Sequence, residues 1–278
     1  MTEPTTLAAP DEPATPPTGS EAAPAPRPPR RFLRAVARWT AAAVLCGGLW
    51  GGVGYALTVP DRGDLPGLGT EDDGRWQYPE LSLPALPERV PLPFSASNAG
   101  EVHHADLREL LLPAPRAAKE LDGLDGGWVA TKEFTSLFSK KEDREKLDQR
   151  LTDMAVRHVA ARGWTMPDGT ESRVYLLRFN SAAFASAFKD ELIGFQNLDI
   201  TLRNAHYSRY DSRWPPELEL KNLELDVMNE DEPYGKVHVR HATVLAGDTL
   251  GLVVHSRKGE AAAVPFHQTV ILQAQLLG

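Results

Sequence analysis

The stretch KVHVRHATVLAGDTLGLVVHS, residues 236–256, decides the fold. Two runs rich in Val, Leu, Thr and His flank Ala246, Gly247, Asp248 and Thr249, which is the composition of two strands joined by a tight turn. Such a hairpin pairs its strands antiparallel. The residues that follow, AAAVPFHQTVILQAQLLG (261–278), carry apolar positions at helical spacing. Pro265 fits only in or near the first turn of that helix, where its missing N–H has no partner to lose.

Outward from this unit the same order recurs. GWTMPDGTESRVYLLRF (163–179) predicts two strands around a Pro-Asp-Gly turn. Asn180 or Ser181 then caps a helix with Phe184, Ala187, Phe188 and Leu192 on one stripe, broken at Glu191 and ended by Gly194. A hairpin followed by a helix, twice, joined by a strand-like segment over 200–227, predicts an α+β domain: an antiparallel sheet with helices on one face. Two further helices are expected upstream. Ser139 and Glu142 have capping-box spacing, and Leu147, Leu151, Met154, Ala155 and His158 recur at three and four until Gly163. HHADLRELLLP (103–113) predicts a short helix stopped by Pro113.

The N-terminal third differs in composition. Residues 1–30 are nearly all Ala, Pro, Thr, Glu and Gly, too poor in apolar side chains to offset chain entropy, and are expected to form a disordered cytoplasmic tail. Residues 31–59 hold a basic flank and a span: no charge occurs from Trp39 to Val59, and a helix of that length covers roughly 30 Å of hydrocarbon. Arg27, Arg30, Arg31, Arg34 and Arg38 precede it and acidic residues follow, which places the N-terminus in the cytoplasm and the C-terminal bulk outside the cell membrane. GYALTVPD lacks small residues in the arrangement of a cleavage site, the Arg pair lacks the usual twin-arginine spacing, and Cys46, the single cysteine, lies inside the apolar run. A permanent single-pass anchor is therefore expected. Gly47, Gly51, Gly48 and Gly52 form two small-xxx-small pairs that would let a second helix approach, making a homodimer through the span a candidate. Residues 60–100, rich in Pro, Gly and acidic residues, predict an extracytoplasmic stalk, with the folded domain over 101–278.

No catalytic constellation emerges. G-x-S-x-G, P-loop and G-x-G-x-x-G patterns are missing from the sequence, so neither a catalytic residue nor a cofactor is assigned. No metal set is assigned either: His238 and His241 point to opposite faces of a strand, and His103, His104 and Asp106 read as a polar cluster. A net charge of −8, with five arginines confined to the N-terminal part, disfavours nucleic acid as a partner. The recognition-like stretch is TLRNAHYSRYDSRWPP (201–216). Read as a strand, it places Tyr207, Arg209, Asp211 and Arg213 on one face and His206, Tyr210 and Trp214 on the other. Aromatic and Arg side chains anchor binding surfaces, so Tyr207, Arg209, Tyr210, Arg213 and Trp214 are the candidate ligand contacts.

The strand, the Gly-Asp turn, the second strand TLGLVVHS and the closing helix resemble the end of extracytoplasmic sensor-type domains found in actinobacterial lipoproteins and receptor-kinase ectodomains. The Ala/Pro-rich tail and Arg-rich entry to the span resemble single-pass membrane proteins of high-GC bacteria. The resemblance covers the C-terminal half, rests on pattern, and transfers no functional residue. Paired cysteines carried by many such domains are missing, as is a kinase portion. It implies a membrane-anchored extracytoplasmic sensor or accessory module with a protein or cell-envelope partner. The alternatives are an envelope hydrolase and a structural protein assembling through its span.

Overall fold

The computed structural model describes residues 73–278, apart from 195–200, 206–207, 216–217, 219 and 231 and the side chains at 193 and 194. The expected tail, the span over 39–59 and its glycine faces lie outside the described residues. Among the described residues no helix is long and apolar enough to cross a membrane.

Seven strands form one antiparallel sheet: β1 (Lys119–Trp128), β2 (His158–Thr165), β3 (Glu171–Arg178), β4 (Arg209–Tyr210), β5 (Glu224–Asn229), β6 (Val237–Ala246) and β7 (Thr249–Lys258). Their order is β1-β2-β3-β7-β6-β5-β4. Two meanders thus meet in the middle, where β3 pairs with β7 from Glu171↔Ser256 to Arg178↔Thr249. Both hairpins expected from the sequence form, and each feeds a helix.

The helices α1 (Thr131–Thr135), α2 (Lys141–Asp153), α3 (Ala182–Gly194) and α4 (Ala263–Leu277) do not share a face. On one side Phe134, Leu147, Leu151, Ala185 and Phe188 from α1–α3 pack against Val159, Tyr175, Leu177, Leu250 and Leu252. On the other, Phe266, Val270 and Ala274 of α4 pack against Ala160, Trp164, Val174, Leu176, Val244 and Val253. The one-sided sheet expected above is therefore corrected to a sheet covered on both faces. Its cause is visible in β7, buried without interruption from Thr249 to His255: a strand sandwiched between two layers is apolar continuously rather than alternately.

Three local expectations also change. α2 ends at Asp153, not Gly163: Val156 N–H reaches the Leu151 carbonyl and Ala155 N–H that of Thr152, with Ala155 at φ 53°. This is a Schellman stop with alanine where glycine is usual, so His158 begins β2 instead of extending the helix. Gly163 lies within that strand because a Cβ there would sit 2.9 Å from side-chain atoms of both Leu121 and Leu124. The capping box does not form; Lys140 is the cap residue, and the Ser139 hydroxyl hydrogen-bonds Thr201. Among the described residues of 200–227, the strand-like reading holds for the two residues of β4, the start of β5 and an isolated bridge at Leu202.

Residues 103–113 form turns rather than a helix, because Leu107, Leu110, Leu111 and Leu112 are all buried, which one face of a short helix could not achieve. The stretch expected to be a stalk runs over the domain from residue 73: Trp76, Tyr78, Leu81 and Phe94 pack against the α4 side of the sheet. Gln268 holds this strap through the Trp76 backbone, accepting from its N–H at 2.8 Å and donating to its carbonyl at 2.9 Å. Farther along, His103 enters the core. Its Nδ1 lies 2.8 Å from Asp248 Oδ1 and its Nε2 3.0 Å from the Leu277 carbonyl at the end of α4. Asp248 also accepts from the His103 N–H and the Thr249 hydroxyl.

Removing one member of a buried hydrogen-bonded cluster strands the others, and here three donors share Asp248. Asp248→Ala is expected to lower the unfolding free energy of the full chain by about 3–5 kcal/mol in urea titrations. Asp106→Ala, at the exposed Asp106–Arg108 pair, is expected to leave the midpoint unchanged.

Candidate functional site

The α4 side of the sheet carries a row of polar side chains where packing alone would select apolar ones. The register runs Trp164↔Ser172 from β2 to β3, Ser172↔His255 to β7, His255↔Arg240 to β6, Arg240↔Asn229 to β5 and Asn229↔Arg209 to β4. Residues directly opposite in an antiparallel ladder project to the same face. Trp164, Ser172, His255 and Arg240 are each 0% exposed. Trp164 Nε1, Ser172 Oγ, both ring nitrogens of His255 and Arg240 Nη2 have no hydrogen-bond partner among the described residues. Buried polar atoms are nearly always partnered, so four consecutive strands contributing unpartnered atoms in one row mark a place built for something besides packing.

The strap lies across this row. The Trp76 indole stacks on His255 with ring centroids 5.0 Å apart and planes 17° from parallel. Tyr78 meets Trp164 edge-on at 6.4 Å, and its hydroxyl is 2.7 Å from that of Thr269 on α4.

At the open end of the row Asp211 is the electrostatic node. Its Oδ2 accepts from Arg240 Nη1 at 3.0 Å and lies 2.9 Å from His267 Nε2, while its Oδ1 accepts from the Arg213 N–H at 3.0 Å. Burial opposes its ionisation, but the hydrogen bond with His267, that from the Arg213 N–H and the charge of Arg240 outweigh it and bring the carboxyl to about 2. Asp211 is thus a permanent anion, unsuited to be a general acid. It orients the His267 imidazole as a carboxylate orients a general base. Among the described residues no hydroxyl or thiol hydrogen-bonds the other nitrogen of that ring, so no nucleophile is assembled on it.

The sequence-expected contacts are dispersed. Tyr207 lies outside the described residues. Arg209 and Tyr210 form β4, with Tyr210 exposed and its hydroxyl donating to Asp226 at 3.2 Å. After Tyr210 the chain turns, Trp214 N–H bonding the Asp211 carbonyl, so the expected alternation of faces stops and Asp211 and Trp214 both reach α4. Trp214 stands edge-on to His267 at 5.1 Å, and the Arg213 guanidinium is 3.8 Å from Asp211. Arg213 and Trp214 therefore join the site, whereas Tyr210 does not.

Sequence reasoning missed Trp164, Ser172, Arg240, His255 and His267. The signal was an Arg and a His at inward positions of two otherwise apolar strands. His238 has a structural role: its Nδ1 accepts the Ala261 N–H, leaving Nε2 to donate to Asn229 and the Glu230 carbonyl. His103 is engaged by Asp248, and Asp106 pairs with Arg108, so that polar cluster does not converge. Among the described residues no group of three metal-ligating side chains gathers.

Burial and then the charge of Arg240 lower the His255 pKa to about 3, and burial lowers that of His241 to about 4. Below the ordinary histidine value near 6.5 the unfolded chain takes up protons that the folded one refuses. Stability is therefore complete above pH 6.5 and falls as pH drops towards the folded values, by about 1.4 kcal/mol per pH unit for each ring. Urea midpoints between pH 7.5 and 4 should show this decline, and His255→Phe should remove about half of the slope. An unchanged slope would contradict a neutral, buried His255.

No protein-family profile matches the chain, and no curated protein does. Among solved structures, the chain is similar to the extracellular domain of PknH from Mycobacterium tuberculosis. The TM-score is 0.37 at 10% identity, over 60% of this chain and 92% of that one. This neighbour is weak, and its likeness concerns the outline of the fold alone.

Proposed function

We propose that this protein is a membrane-anchored binding module, non-enzymatic, whose C-terminal domain faces the extracytoplasmic side and takes its ligand on the polar row beneath the strap. The observation that carries this reading is the set of fully buried, unpartnered polar atoms on Trp164, Ser172, His255 and Arg240. A fold-stabilising core gains nothing from such atoms, each of which costs about 1–3 kcal/mol when left unmade, whereas a binding site needs a few convergent polar groups in an apolar wall. Anchoring rests on the uncharged stretch 39–59 and its arginine flank. The strap supplies a route for a signal. A ligand reaching His255 must shift Trp76 from its stack.

The Asp211–His267 pair favours a second reading, an envelope hydrolase using an oriented imidazole. The two readings separate on turnover: a binding module leaves its ligand unchanged after prolonged incubation.

Two measurements test the proposal on the full chain. Glu88→Cys, in a Cys46→Ser background, should react with a membrane-impermeant thiol reagent in intact cells; labelling only after lysis would place the domain on the cytoplasmic side. A thermal-shift screen against metabolites, nucleotides, lipids and cell-wall fragments should find a stabilising compound, worth about 2.7 kcal/mol at 100 times its Kd, whose effect falls in Ser172→Ala. A full screen without any shift would defeat the binding reading.

A further inference from the structure

The chemistry of the row points to the class of its ligand. Of the unpartnered atoms, Trp164 Nε1 and Arg240 Nη2 can only donate. The neutral His255 ring brings one donor and one acceptor, and the Ser172 hydroxyl can serve either way. Donors outnumber acceptors, so an occupant that satisfies the row must bring acceptors.

Charge sharpens the requirement. Arg240 is wholly buried, and its Nε and Nη1 are taken by the Ala261 carbonyl and Asp211. That single carboxylate also faces His267, the Arg213 N–H and the Arg213 guanidinium. Its negative charge is divided among several positive or donating groups. Glu260, the other acid here, is largely exposed and lies 3.8 Å from Arg213. At the far end Glu120, opposite Trp164 in the register, is half-exposed and engaged with Arg162. None of these acids meets Arg240 Nη2, and the planar fork of a guanidinium matches the paired oxygens of a carboxylate or phosphate.

We infer that the row binds a small oxyanion, a carboxylate or phosphate group seated against Arg240 Nη2 beside His255, with Ser172 and Trp164 left to the rest of the molecule that carries it. This inference rests on the binding reading above and adds the charge and hydrogen-bond character of the ligand. From Arg240 to Trp164 the row crosses three strand spacings, roughly 14 Å, so the anionic group occupies one end and leaves length for a polar body along the rest.

The test uses the full chain, with succinate, inorganic phosphate, neutral succinamide and chloride at matched ionic strength. Succinate or phosphate should raise Tm and change the emission lost in Trp76→Phe, while succinamide and chloride do neither. His255→Phe should weaken anion binding about five-fold, the effect of one hydrogen bond, whereas Trp164→Phe, at the far end of the row, should leave phosphate binding unchanged. Arg240→Lys should weaken it further; if that variant fails to fold, the other two still decide. Equal shifts with succinamide, or anion binding untouched by His255→Phe, would overturn the inference. So would a neutral compound from the wider screen that competes for the row while succinate and phosphate do nothing, and the binding reading would then survive. A wide screen without any ligand would defeat both.

Discussion

The buried carboxylate of Asp248 is the constraint on which the domain depends. It sits at the β6–β7 turn and binds His103, whose other ring nitrogen ends on the last carbonyls of α4. One residue thus fastens the central hairpin, the segment that precedes the sheet and the C-terminal helix. The neighbouring Gly247 completes the arrangement at φ 48°, since a Cβ there would run into the Glu101 carbonyl oxygen. The chain must pass this close for Asp248 N–H to reach that same carbonyl, and only glycine permits it. No disulfide is available for the purpose, Cys46 being the only cysteine. A buried cluster of hydrogen bonds on Asp248 takes over the role of a covalent staple.

Much of this was legible in the sequence where local rules govern. The Pro-Asp-Gly and Ala-Gly-Asp-Thr turns announce their hairpins, and Ser181, whose hydroxyl accepts the Phe184 N–H, caps α3 as expected. Legibility failed where tertiary contact overrides local preference. Ala155 stops α2 in a conformation that sequence rules reserve for glycine, and Gly163 is read as a stop when it is a point of close packing under Leu121 and Leu124. The proline-rich stretch after residue 73 looked like a stalk because its apolar residues come singly or in pairs. Trp76, Tyr78, Leu81 and Phe94 are answered by the sheet and α4, which no local window contains.

The candidate site was less legible for a related reason. An exposed aromatic and Arg strand was the natural place to seek recognition, yet its alternation ends at Tyr210, and Arg213 and Trp214 reach the site by way of a turn. The residues that form the row are far apart in the chain and become neighbours only through the β3·β7 and β6·β7 registers. What the sequence does contain is a contradiction: Arg240 and His255 occupy fully buried positions of strands whose neighbouring inward positions include Ala242, Val244 and Val253. Conflicts between a residue and its environment are where function is expected to reside.

The strand order has a consequence for biogenesis. β7 lies in the middle of the sheet although it is the last strand to be made, and α4 follows it. The first meander therefore waits, with β3 unpaired along one edge, until β7 has left the ribosome. Such distant pairings fold slowly, and an unfinished edge recruits other chains. A nascent chain with this topology would profit from a holding factor until β6 and β7 arrive, and a premature stop before β7 would remove the centre of the sheet rather than its margin.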